Sequence, residues 1–375
     1  MTGAIIFQSE GSRRGRPRSG WHAMTLGLLF IVGLASPESF AWTKTSTTTT
    51  STSMGGGGGG MMIGGGGTDV LNAANGPTLV VQQINKTMHD GANVKFWVFC
   101  ASGSNNCRLP GPTLELGVGQ TANFNLNVMM APQEMPPYQG HTIHPHGLDV
   151  QQSEDGVPET GAAVLGDNYS FHVDSRYVGS HMYHCHVHTV KHLEMGMYGA
   201  FVVKAVDNLG NFVNVIDQNG PAYDYEWNWV LSAVDPAYHA DNAVGDSTVF
   251  ADYNPKYFLV NGNEGLSKTA PAETVTAATG AKVAIRLVGI HSVDGTFQIK
   301  DASGASKSFV IYNRDGFALP SPQTVTSTDI TPGQTMDVMV TLPGTSSSWY
   351  PQITYKSLRN GAVYTNGTVY ARLNF

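Results

Sequence analysis

Charge is scarce in this sequence. Asp, Glu, Lys and Arg make up only 13% of the 375 residues, against about 25% in an ordinary globular chain. The 21 basic residues are outnumbered by 28 acidic ones, the net charge is −7, and no basic run occurs outside the N-terminal leader. The electrostatic footprint of a nucleic-acid partner is therefore missing. Long amphipathic helical patterns are also lacking, while glycine reaches 44 residues. That combination argues against a helical protein and for short strands joined by turns. Cysteine is scarcest of all, with three, so no disulfide framework carries the fold.

The N-terminus reads as an address. Arg13, Arg14, Arg16 and Arg18 precede an apolar stretch from Met24 to Ala35, and Ser39-Phe40-Ala41 supplies small residues at the cleavage positions. The apolar stretch is short for a membrane span. Residues 1–41 are expected to be an export signal, with Arg13-Arg14 pointing to the twin-arginine route. The body of the chain is then periplasmic or extracellular; an uncleaved leader that tethers it is the alternative. Residues 42–76 are rich in Thr, Ser and Gly, a composition that does not bury enough apolar surface to fold, and they are expected to be a flexible linker. In an oxidising compartment Cys100 and Cys107 are expected to pair across their polar loop, which leaves Cys185 as the odd thiol.

Beyond the linker the pattern is strands. Thr78 to Val81, Val94 to Phe99 and Ala122 to Val128 are separated by turn residues such as Pro110-Gly111-Pro112. Residues 77–205 form one strand-rich block. Residues 206–223 are a polar connector. Residues 224–375 form a second block of similar size, with strands such as Val283 to Val288 and Met336 to Val340. An all-β fold of two tandem sandwiches follows.

Most of the 13 histidines lie between His141 and His192. In His141-Thr142-Ile143-His144-Pro145-His146, strand alternation puts His144 and His146 on one face and His141 on the other. In His184-Cys185-His186 it separates Cys185 from the two histidines. Cys185 then joins His141, and His184 and His186 join His144 and His146. His192 and Met197 lie on a loop that returns over Cys185. One Cys, two His and one weak Met form the ligand set of a blue-copper centre. Zinc also takes Cys and His, but does not call for two interleaved faces or a Met five residues after a His. His181, His188 and Met195 are read as neighbours, Met129, Met130 and Met135 as packing, His172 as structural or exposed, and Glu194 as an ordinary solvated charge.

Residues Gly179 to Val203 resemble the copper signature of multicopper oxidases and small laccases, with a His-Cys-His triplet, a later His, and a Met five residues beyond it. The gap from Cys185 to His192 is two residues longer than in small laccases. His141 to Gly147, Leu109 to Leu114 and Asp155 to Pro158 also match family motifs. Leu259 to Gly262, Asp315 to Phe317 and Ile330 to Val338 resemble a copper-free domain of the same oxidases. The resemblance implies two cupredoxin-like Greek-key sandwiches. It makes His141, Cys185, His192 and Met197 type 1 copper ligands, and His144, His146, His184 and His186 ligands of type 2 and type 3 coppers. It implies a small-molecule or metal-ion electron donor reaching exposed His192, and O2 as acceptor. A complete three-copper cluster in this family uses eight histidines, and four stand at matching positions here. A homo-oligomer, a trimer or another closed assembly, would complete the second site. Two alternatives are a nitrite-reductase-like enzyme, with His291 as a further ligand, and an exported copper-binding or electron-carrier protein that is not an enzyme.

Overall fold

The computed structural model describes residues 61–64, 69–127, 140–160, 168–240 and 253–375. The expected export signal, most of the expected linker, and Met129, Met130 and Met135 lie outside the described residues.

The chain is all-β and forms two tandem sandwiches. In the first, one sheet runs in the order Val70–Asn72, Thr113–Gly117, Tyr198–Lys204, Gly179–His184 and His144–His146. The facing sheet runs Asn93–Ala101, Thr78–Thr87, Thr121–Asn127 and Asn168–His172. Strict alternation generates the half-buried strands. In Thr121–Asn127, Ala122, Phe124 and Leu126 point inward while Thr121 and Asn123 point out. Trp97, Phe99, Phe124, Tyr169 and Phe201 fill the space between the sheets, each at most 1% exposed.

The second sandwich is built on Tyr225–Val234, which pairs in parallel with Lys282–Gly289. After Tyr225 every residue of this strand is buried, as expected for a strand covered on both faces. Its partner sheet is centred on Asp294–Asp301 and Ser348–Lys356.

The linker expectation is corrected at its C-terminal end. Val70–Asn72 pairs in parallel with Thr113–Gly117, and Ala73 is fully buried in the first core. Met61–Gly64 pairs with Tyr225–Val234. The unpaired backbone of two outer strands supplies hydrogen-bond partners that composition alone does not reveal.

Charge crosses the seam between the sandwiches. Lys204 of the first contacts Glu226 of the second, and lies 3.4 Å from Glu115. Arg286 contacts Glu226 and lies 3.1 Å from Asp337. Burial opposes ionisation of Glu226, but Lys204 and Arg286 outweigh it and hold its pKa down to about 2. With three carboxylates facing two cations, burial wins at Glu115 and raises its pKa. Asp337 also accepts from Ser180 N at 3.0 Å and Asn313 Nδ2 at 2.8 Å.

Candidate metal centre

His141, Cys185, His192 and Met197 come together, all fully buried. Cys185 Sγ lies 3.1 Å from His192 Nδ1 and 3.9 Å from His141 Nδ1. The ligand atoms of His141, Cys185 and His192 all lie within 4.8 Å of one another. Local backbone bonds weave this corner together: Cys185 N donates to Met197 O, and Met197 N to His192 O, each at 3.0 Å.

The segment expected to be a loop contains a short helix, α1 (Thr189–Met195). Gly196 ends it at φ 112°, and its N–H bonds the carbonyls of His192 and Leu193. A Cβ at Gly196 would stand 2.9 Å from Trp97 O, so glycine is required twice over. α1 turns His192 inward against the edge of Trp97, ring centres 5.5 Å apart. The expected exposure of His192 is therefore corrected: its ring is buried, and only neighbours on α1 reach solvent.

The second set is arranged by strand pairing. His144 lies directly opposite His184, and His146 opposite Met182. His146 Nδ1 is 3.3 Å from His184 Nε2. His144 donates Nδ1–H to Asp155 O at 2.7 Å, and His184 donates Nδ1–H to Cys185 O at 3.0 Å. Both therefore keep Nε2 as the lone-pair atom, the outer hydrogen bond fixing the tautomer as it does around bound metals. His186 lies outside the group of His144, His146 and His184, whose donor atoms all fall within 4.8 Å of one another. Its ring centre is 5.2 Å from that of His144, and its Nδ1 is 3.9 Å from Glu159. The loop bearing Asp155 is locked by Gly156, whose φ is +67° and where a Cβ would meet Ile143 O at 2.1 Å.

Burial governs the protonation of the deepest donors in each set. It lowers His141 to about 4 and His192 well below the usual imidazole range. It lowers His184 to about 3, assisted by repulsion from the neighbouring histidines. It raises the Cys185 thiol to about 12. At neutral pH the imidazoles of His141, His184 and His192 are neutral lone-pair donors, and a cation is what would ionise the thiol. Among the described residues, His141 Nε2 and His192 Nε2 have no hydrogen-bond partner, while both Nδ1 atoms face the sulfur. The donor chemistry fits a soft, thiolate-binding metal.

The remaining expected residues separate cleanly. Cys100 and Cys107 are disulfide-bonded. His181 is buried and donates Nε2–H to Tyr177 O at 2.8 Å. His172 is exposed. His291 is buried against Tyr355 and belongs to neither donor group. Glu194 is corrected: it is buried, not solvated, and contacts the second sandwich. Sequence reasoning missed this role because its partners lie more than 40 residues away. Beside α1 lies a cavity of about 490 Å³, lined by Val190, Leu193, Tyr253, Ile290, Leu358 and Arg359 among others.

Comparisons with known proteins agree with this architecture. Two family models, both described as multicopper oxidase, match residues 80–208 and 235–374. No curated protein matches the chain. Among solved structures, the blue copper oxidase of Nitrosomonas europaea is 19% identical, with a TM-score of 0.58, covering 82% of this chain and 85% of that one. A multicopper oxidase of Campylobacter jejuni, described as a metallo-oxidase, is 19% identical with a TM-score of 0.57, covering 82% of this chain and 61% of that one. A multicopper oxidase of the hyperthermophile Aquifex aeolicus is 16% identical with a TM-score of 0.57, covering 84% of this chain and 64% of that one. At these identities the structural likeness is one of fold, and the two family models carry the assignment: the chain belongs to the multicopper oxidase superfamily.

Proposed function

We propose that this protein is a copper-dependent oxidase that takes single electrons from a reducing donor and delivers them to O2. His141, Cys185, His192 and Met197 would hold a type 1 copper, and His144, His146, His184 and His186 would hold copper of type 2/3 character. Bound copper would supply one-electron transfer at the first set and O2 reduction at the second. The chain's own residues account for the rest. Burial keeps water from the thiolate. Asp155 and the Cys185 carbonyl orient His144 and His184. The cavity against α1 would receive a small-molecule or metal-ion donor within one residue of His192.

The observation that carries this reading is the His184-Cys185-His186 triplet in place. One strand end serves both donor groups, with Cys185 in the first and His184 in the second. Four histidines are half of the family's three-copper cluster, so a homo-oligomer is proposed to bring two half-sites together. The body is proposed to act outside the cytoplasm, periplasmic or extracellular, which suits the Cys100–Cys107 disulfide.

The test is copper per chain measured together with the mass of the assembly. An oxidase with an assembled second site holds more than about two coppers per chain in an oligomer. A monomer with about one copper would instead establish the electron carrier. That second reading is favoured by one observation: among the described residues, neither donor group includes a histidine of the second sandwich. Oxidised protein should absorb in the visible red, and Cys185→Ser should abolish that band.

A further inference from the structure

We propose that Glu194 is a positioning residue for the type 1 site: the second sandwich grips its carboxylate and thereby sets the pose of α1 and of His192. The inference rests on the type 1 reading of His192.

α1 is too weak to hold a ligand by itself. It has seven residues and no side-chain N-cap, and it starts after His188 at φ 43°. An isolated helix of this length is unstable in water, so its geometry comes from packing. Two positions after His192, Glu194 is 7% exposed. A carboxylate so placed is costly unless its oxygens are hydrogen-bonded. Its partners among the described residues come from beyond the first sandwich. Asp235 N donates to Oε1 at 2.7 Å, and Tyr253 Oη donates to Oε2 at 3.0 Å. His239 Nε2 stands 3.6 Å from Oε1.

These partners are themselves fixed. Asp235 and His239 belong to the start and body of a second short helix, α2 (Pro236–Ala240), which Asp235 caps through Ala237 N at 3.0 Å. The Asp235 carboxylate also accepts from Asn254 N at 2.9 Å, next to Tyr253. His239 then returns to the first sandwich. Its Nδ1 donates to Lys95 O at 2.5 Å and its ring packs edge-on against Phe96. The next residue on that strand is Trp97, whose ring bears on His192. A closed ring of contacts results, from His192 along α1 to Glu194, across to α2, back through Lys95 and Phe96 to Trp97, and onto His192 again. Opening it at Glu194 frees α1 on the side facing the second sandwich.

The experiment compares Glu194→Ala, Glu194→Gln and Tyr253→Phe as full-length, copper-loaded proteins, with far-UV circular dichroism as the folding check. The readouts are the position and width of the visible type 1 band, its reduction potential, and copper loss to a chelator. Removing an outer-shell partner weakens metal affinity by about 10–100-fold, so Glu194→Ala should lose copper that much more readily, with a shifted, broadened band. Glu194→Gln keeps an acceptor for Asp235 N and should stay within about threefold of the wild type. Tyr253→Phe removes the hydroxyl shared between Glu194 Oε2 and Ala233 O, leaves the backbone alone, and should move the same readouts in the same direction by less. A folded Glu194→Ala protein with unchanged band, potential and retention overturns the proposal. If Glu194→Ala does not fold, unchanged readouts in Tyr253→Phe overturn it instead. Persistence of the band in Cys185→Ser would mark failure of the type 1 reading itself, which is a different result.

Discussion

Two buried histidines outside both donor groups make part of the acid sensitivity of the fold calculable. Burial holds His181 and His291 each at about 4, down from 6.5. In the unfolded chain both titrate near about 6.5. Between those values the unfolded state binds more protons, so stability falls as pH drops through 6.5 and the loss is complete below about 4. At about pH 5 the unfolded imidazole is almost fully protonated and the folded one barely so. Relative to about pH 7.5, each group then costs about 2 kcal/mol, and the pair about 4 kcal/mol. The perturbation is the double variant His181→Gln, His291→Asn. The Gln amide can replace Nε2–H toward Tyr177 O, and the Asn amide can replace Nδ1–H toward Val293 O. Urea unfolding of copper-free protein, followed by tryptophan fluorescence at both pH values, gives the comparison. The ligand histidines titrate in both proteins and cancel. The variant should lose about 4 kcal/mol less than the wild type over this interval. Equal losses would refute the reasoning, because the two imidazoles would then not be held neutral by burial.

Two further substitutions probe the scaffold of the site. Tyr169 Oη accepts from Ile143 N at 2.8 Å, between His141 and His144 in the chain. Tyr169→Phe orphans that buried N–H and should cost about 1–3 kcal/mol in denaturant unfolding; no measurable loss would contradict the assignment. Gly262 has φ +76°, and a Cβ there would meet Leu109 O at 2.0 Å. Gly262→Ala should cost at least about 1–2 kcal/mol from the left-handed backbone alone, with the clash in addition; a melting temperature equal to the wild type would show that the seam relaxes around it.

The fold class was legible because strands with a two-residue period leave an unmistakable pattern, as at Thr121–Asn127. The pairing of His144 with Cys185's neighbour His184 was legible for the same reason, since alternation separates the two faces of His184-Cys185-His186. Features set by distant partners were not legible. The burial of His192 depends on Trp97, which lies 95 residues earlier, and on a helix too short to show a periodic signal. Glu194 looks like any surface glutamate until Asp235 and Tyr253 are brought to it. Val70 and Leu71 follow a glycine-rich stretch, and only the open side of Thr113–Gly117 makes them a strand.

The charges along the seam bear on how such a molecule can be recombined. Lys204 sits on one half of the chain, while Glu226, Arg286 and Asp337 sit on the other. A fragment ending near residue 205 would keep Lys204 beside Glu115 but lose its contact with Glu226, and would open both charges to water. The complementary fragment would keep an arginine flanked by two acids and lose the cation that balances them. The halves are thus lock and key to each other. A foreign β-sandwich could replace the copper-free half only if it brought the same sequence of signs to the same depth, so the pair is inherited, or redesigned, as one unit.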